Sequence, residues 1–195
     1  EEVLFRICLG GATGHKAFAR DIGVVVKPAE ITKVVAALVR GLQSTGIDVV
    51  DTAPALWSRL IRAESHYATD SHWTFETMKE VAGAVAKRVR EKWPQLPGTE
   101  TPLISATILE RNEPGDLARE LLPLGSESLL GMETEQLASI RGLESDPQSP
   151  VLIMGGDAVQ VFSDAASSFG NSAGEAQHAG FSTQLSSLLG RRLEQ

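Results

Sequence analysis

The sequence predicts an α/β fold in which a mainly parallel sheet is flanked by helices. Short apolar runs rich in β-branched residues alternate along the chain with longer stretches of helical periodicity. The first of them closes a strand–helix–strand unit within residues 21–51. A late apolar run, Val151-Leu152-Ile153-Met154, ends in Gly155-Gly156-Asp157 and is followed by a final helical pattern. No internal repeat and no convincing boundary divides the 195 residues, so residues 1–195 are expected to form one domain.

Taken in order, Asp21-Ile22-Gly23-Val24-Val25-Val26 reads as a buried strand. Pro28 suits the first turn of a helix, where its missing N–H is no loss. Ile31, Val34, Val35, Leu38, Val39 and Leu42 recur at helical spacing until Gly46. Ile47-Asp48-Val49-Val50 reads as a short strand with Asp51 at its carboxyl end, and residues 54–62 as a short helix. A polar connection, residues 64–74, then precedes a long amphipathic helix from about Phe75 to Trp93, with Phe75, Met78, Val81, Val85 and Val89 on one face. Pro94-Gln95-Leu96-Pro97-Gly98 ends it. Residues 103–109 form a strand candidate, followed by loops and short helices broken at Pro114, Pro123 and Gly125. Val151 to Met154 reads as a buried strand, and Phe181, Leu185, Leu188 and Leu189 mark a closing helix.

Composition removes several function classes. With 18 Lys+Arg against 25 Asp+Glu the chain carries a net charge of −7, the wrong sign for a nucleic-acid binder. A hydrophobic content of 42% is ample for a folded core. The apolar run from Val34 to Val39 is far short of the ~20 residues that span a bilayer, so no membrane span is expected. The lone cysteine, Cys8, cannot close an internal disulfide, and it sits in an apolar segment where a buried thiol is expected. No cofactor motif is present: Gly10-Gly11-Ala12-Thr13-Gly14 lacks the Lys-Ser/Thr of a phosphate loop. The chain begins at Glu1, and a signal peptide or anchor is expected to have been trimmed from it. His15 and His178 stand isolated and are expected at the surface; Trp57 and Trp93 read as packing residues.

Two segments carry the chemistry. In Asp70-Ser71-His72-Trp73-Thr74, residues two apart on an extended chain point the same way, so Asp70 and His72 are able to share a cleft. A carboxylate so placed fixes the imidazole tautomer and stabilises the imidazolium. On spacing alone the segment reads first as a solvated helix-capping loop. Trp73 reads either as a stacking surface for a sugar ring or as a core residue. In Gly155-Gly156-Asp157 the glycines allow a sharp turn at the end of a strand, where N–H groups are able to meet an oxyanion. The same turn needs no function to explain it.

Together these segments resemble the SGNH-hydrolase-like O-acetyltransferases of bacterial exopolysaccharide modification, the alginate O-acetyltransferase group. Asp70-Ser71-His72-Trp73-Thr74 is similar to their Asp-x-His-Trp motif. Residues 24–28, 46–51, Gly115-Asp116-Leu117-Ala118, 151–162 and 179–185 resemble further pieces in the same order. The resemblance implies that Asp70 orients and His72 acts as general base. The glycines 155 and 156 would lend N–H groups to an oxyanion hole. It also implies an acetyl donor of unidentified kind, a polysaccharide or oligosaccharide acceptor, secretion-complex partners, and a periplasmic or extracellular location. In the family a serine in a Gly-Asp-Ser motif carries the acetyl group. Here an ungapped alignment places Asp157 at the serine, and one inserted residue places Ala158 there; neither is a nucleophile of that kind. Ser163, six residues beyond Asp157, lies more than a helical turn away. The chain is therefore expected to be weak or inactive in acetyl transfer, or else a non-catalytic carbohydrate-binding or assembly module. Asp70, Asp157 and His72, with His66, would also suit a divalent cation, and the two carboxylates would suit acid–base work on a glycosidic bond.

Overall fold

The computed structural model describes residues 28–52, 56, 59, 64–67, 69–96, 105–113, 115, 133–143, 145–163 and 178–194. The chain falls into two compact units, Glu1–Ala63 and Glu64–Gln195.

In the first unit, helix α1 spans Pro28–Ser44. It begins at the expected proline and is followed by Gly46, whose φ of +84° is the left-handed conformation that glycine adopts freely. Val39 is buried, but Val34 and Leu38 of the same apolar stripe are exposed. Val49 makes a single bridge in place of the expected strand. Leu56 and Arg59 are helical, while the rest of the helix expected over 54–62 lies outside the described residues, as do the strand at 21–26 and Cys8.

The second unit is built around helix α2, Phe75–Lys92. Thr74 caps it, its hydroxyl accepting from the Thr77 N–H at 3.4 Å, and Arg90 and Lys92 in the last turn oppose the helix dipole. Phe75, Met78, Val81, Ala82, Val85, Ala86 and Val89 form the buried stripe that the spacing requires. This stripe packs chiefly against helix α4, Phe181–Leu189, and also touches the sheet. Helix α3, Asp157–Gln160, is a single turn.

The sheet differs from expectation. Among the described residues it has two strands, β1 (Ser105–Glu113) and β2 (Glu133–Arg141), paired antiparallel from Ser105↔Arg141 to Glu113↔Glu133. The strand expected at 103–109 continues through Glu110, Arg111 and Asn112 because β2 supplies the partner. Strand β2 replaces the loops and short helices expected there. Its face is set by Leu137 and Ser139, both buried, and by Glu135, while β1 presents Ile108 to solvent. Residues 151–154 are likewise not a buried strand. Leu152 makes one parallel bridge to Glu194, and Leu152 and Met154 are exposed, so the run is an edge covered on one side. No helix among the described residues is long and apolar enough to cross a membrane.

Candidate active site

Asp70 and His72 sit on a miniature hairpin immediately before α2. Thr74 N–H donates to the Ser65 carbonyl at 3.1 Å and Tyr67 N–H to the His72 carbonyl at 3.4 Å, with His66 bridged to Trp73. Alternation along the returning arm sends the Trp73 ring to the opposite side from His72. That ring is buried and stacks on Phe181 at 6.3 Å, so its face is taken by the start of α4. Phe75, one turn into the same region, meets Phe162 edge-on at 5.6 Å. The hairpin, the beginning of α2, the turn after α3 and the beginning of α4 are thus joined by aromatic packing.

The Asp70 side chain is fully buried, and one of its oxygens lies 2.5 Å from His72 Nδ1 and accepts the His72 backbone N–H at 2.9 Å. A carboxylate only accepts, so in the neutral imidazole Nδ1 carries the proton and Nε2 keeps a lone pair. The His72 side chain is 12% exposed. The contact fixes the tautomer that a general base beside an orienting carboxylate requires.

Gly115, Tyr67 and Glu135 support the hairpin that carries this pair. The Gly115 backbone lies so close to Thr69 and Asp70 that a Cβ would overlap the Thr69 carbonyl, and its N–H donates to Thr69 Oγ1 at 3.3 Å. Glu135 on β2 accepts the Tyr67 hydroxyl at 2.6 Å and the Phe75 N–H at 3.3 Å through one oxygen. Burial, and then the bond to Glu135, push the Tyr67 phenol well above its ordinary range, so it remains a donor. His66, whose Nδ1 lies 3.1 Å from Ser65 Oγ, is held below the usual imidazole value, first by burial and then by the charge of His72. The signal for Gly115 lay in its motif; that for Glu135 depends on strand pairing and had none.

The other half of the expected site is plainer. Gly155, Gly156 and Asp157 are all exposed, and Ala158 is half-buried. Gly156 starts α3 without a side-chain cap, and Asp157 is its first residue. Among the described residues no three His, Cys, Asp or Glu side chains are gathered as a metal would require.

A family model for the SGNH hydrolase-like domain of the acetyltransferase AlgX matches residues 21–195. Among solved structures, the chain is similar to the O-acetyltransferase domain of Pseudomonas putida AlgJ, with a TM-score of 0.54 and 18% identity over 82% of this chain and 51% of that one. It is also similar to Pseudomonas aeruginosa AlgX, with a TM-score of 0.49 and 12% identity over 97% of this chain and 49% of that one. The chain spans about half the length of each of these structures. No curated protein matches it in sequence. The likeness to AlgJ is one of fold, and the family model covers most of the sequence: the chain belongs to the family of SGNH hydrolase-like acetyltransferase domains typified by AlgX.

Proposed function

We propose that this chain is a polysaccharide-directed acetyl-handling domain of the acetyltransferase or esterase kind, with the base half of its machinery built and the nucleophile replaced. The observation that carries this reading is the 2.5 Å contact between the buried Asp70 carboxylate and His72 Nδ1. In a complete site, His72 Nε2 takes the proton of a serine hydroxyl as its oxygen attacks the acetyl carbonyl. N–H groups near Gly155 and Gly156 receive the oxyanion, and the leaving group departs with the proton from Nε2. A sugar hydroxyl then accepts the acetyl group by the reverse sequence. Asp157 or Ala158 in the serine position removes the first step. Loss of such a nucleophile lowers turnover by about 10⁶ in a serine hydrolase. The same absence supports a second reading, a non-catalytic carbohydrate-binding or assembly module of an exopolysaccharide system. Both readings place the chain in the periplasm or outside the cell, among polysaccharide and secretion-complex partners, and both keep a mainly parallel sheet at the centre of the fold.

The test is to install serine, separately, as Asp157→Ser and Ala158→Ser, and to follow hydrolysis of p-nitrophenyl acetate. One of the two variants is expected to hydrolyse the ester well above the buffer rate, and to lose that gain when His72→Ala is added. If neither variant gains activity, His72 is not placed to serve this position and the acetyl-transfer reading fails. Oligosaccharide binding by the unaltered chain, without ester turnover, selects the binding module.

A further inference from the structure

A second cleft, of ≈ 200 Å³, opens beside the start of α4, between the end of β2 and the turn after α3; Ser163, His178, Thr183, Ile140 and Leu143 line it. His178, expected at the surface, is only half-exposed and adopts a φ of +47°, with its carbonyl accepting the Ile140 N–H at 2.8 Å. Three features make the cleft's inner end a cluster of unanswered donors. Helix α4 begins at Gly180 with no side-chain cap, so the N–H groups of its first turn have no side-chain acceptor. The Ser163 Oγ is buried without a hydrogen-bond partner, and it stands where a Cβ on Gly180 would lie. Thr183, in the first turn, is 8% exposed, and its hydroxyl has no partner among the described residues. A buried hydroxyl without a partner is uncommon, and here that of Ser163 adjoins the positive end of a helix dipole, with the Thr183 side chain beside it on the cleft wall.

We propose that this cleft binds a short aliphatic carboxylate. Its oxygens would meet the N–H groups of α4's first turn, the hydroxyls of Ser163 and Thr183, and the imidazole of His178. Its alkyl end would lie on Ile140 and Leu143, both buried. Among the described residues no acidic side chain lines the cleft. An apolar wall opposite the donors selects acetate or propionate over inorganic phosphate, which has no apolar part. The site is built from residues other than Asp70 and His72 and does not depend on their role.

The experiment is an NMR titration of the full 195-residue chain with acetate, propionate and phosphate at constant ionic strength. Acetate and propionate are expected to give saturable shifts at the amides of Ser163 and of residues 181–183. Thr183→Val should weaken binding at least about fivefold, the loss of one hydrogen bond, and Thr183→Ser should retain it. Asp70→Asn, which alters the other site, should leave the titration unchanged. The proposal is overturned by absence of saturation with either carboxylate, by equal binding of phosphate, or by Thr183→Val and Ser163→Ala both binding as the unaltered chain does.

Discussion

The hairpin that carries Asp70 and His72 and the turn at residues 155–157 belong to the same unit, yet they are held in opposite ways. The first is buried and tied from several directions: Gly115 lies against its tip, Glu135 reaches it from the sheet, Trp73 anchors it to α4, and Thr74 fixes its exit into α2. The second is exposed, begins a one-turn helix without a side-chain cap, and is followed by the buried Val161 and Phe162. A side chain whose surroundings are fixed by many partners is difficult to replace. One in an open turn is easily exchanged without disturbing the fold. The difference teaches why, under the proposed function, an Asp–His pair is kept while a neighbouring nucleophile is exchanged: the pair's geometry is part of the core, and the turn at residues 155–157 is not.

The largest expected effect tests the link between the two regions. Phe162 is fully buried, meets Phe75 edge-on, and holds a φ of +67°. Phe162→Ala should destabilise the fold by about 3–5 kcal/mol in urea unfolding. A loss below about 1 kcal/mol would show that the hairpin and the later turn are not coupled through this packing. Next, Asp70→Ala leaves two donors of His72 unanswered in a buried place and should cost about 2–3 kcal/mol. It should also abolish the downfield Nδ1 proton signal expected for a carboxylate-bound imidazole; persistence of that signal would contradict the 2.5 Å contact. Glu135→Gln keeps an oxygen acceptor but removes its charge, and a loss of about 1 kcal/mol is expected. Shifts at Tyr67 and Phe75 amides should accompany it, and their absence would place the anchor of the hairpin elsewhere. The smallest effect belongs to the open turn. Asp157→Ala removes only an exposed charge from the first turn of a short helix, so the change should be about 0.5 kcal/mol or less. A loss as large as that of Asp70→Ala would erase the contrast between the regions.

Much of the second unit was legible in the sequence for a local reason. The span of α2 follows from a stripe of apolar residues at helical spacing, a threonine before it and prolines after it, all of which act over a few residues. Asp70 and His72 were legible too, since two residues on an extended arm share a side regardless of what lies beyond. Strand β2 was not legible. Glu133 to Arg141 holds two large apolar residues, Leu137 and Ile140, without period-two alternation, and its extended form comes from pairing with β1 across about 20 intervening residues. The run from Val151 to Met154 erred in the other direction: a short apolar stretch reads as buried whether it is central or at an edge, and here Leu152 and Met154 face solvent.

What the amino-acid order determined by itself, then, is the set of local devices: the capped central helix, the closing helix and the Asp-x-His arm. Only the tertiary structure decided that Glu135 and Gly115 support that arm, that the Trp73 ring stacks on Phe181, and that the Ser163 hydroxyl is buried without a partner against Gly180. The physical reason is range. Periodicity, caps and turns are energies of neighbours in sequence, whereas burial and hydrogen-bond partnership depend on which distant segments come to lie alongside.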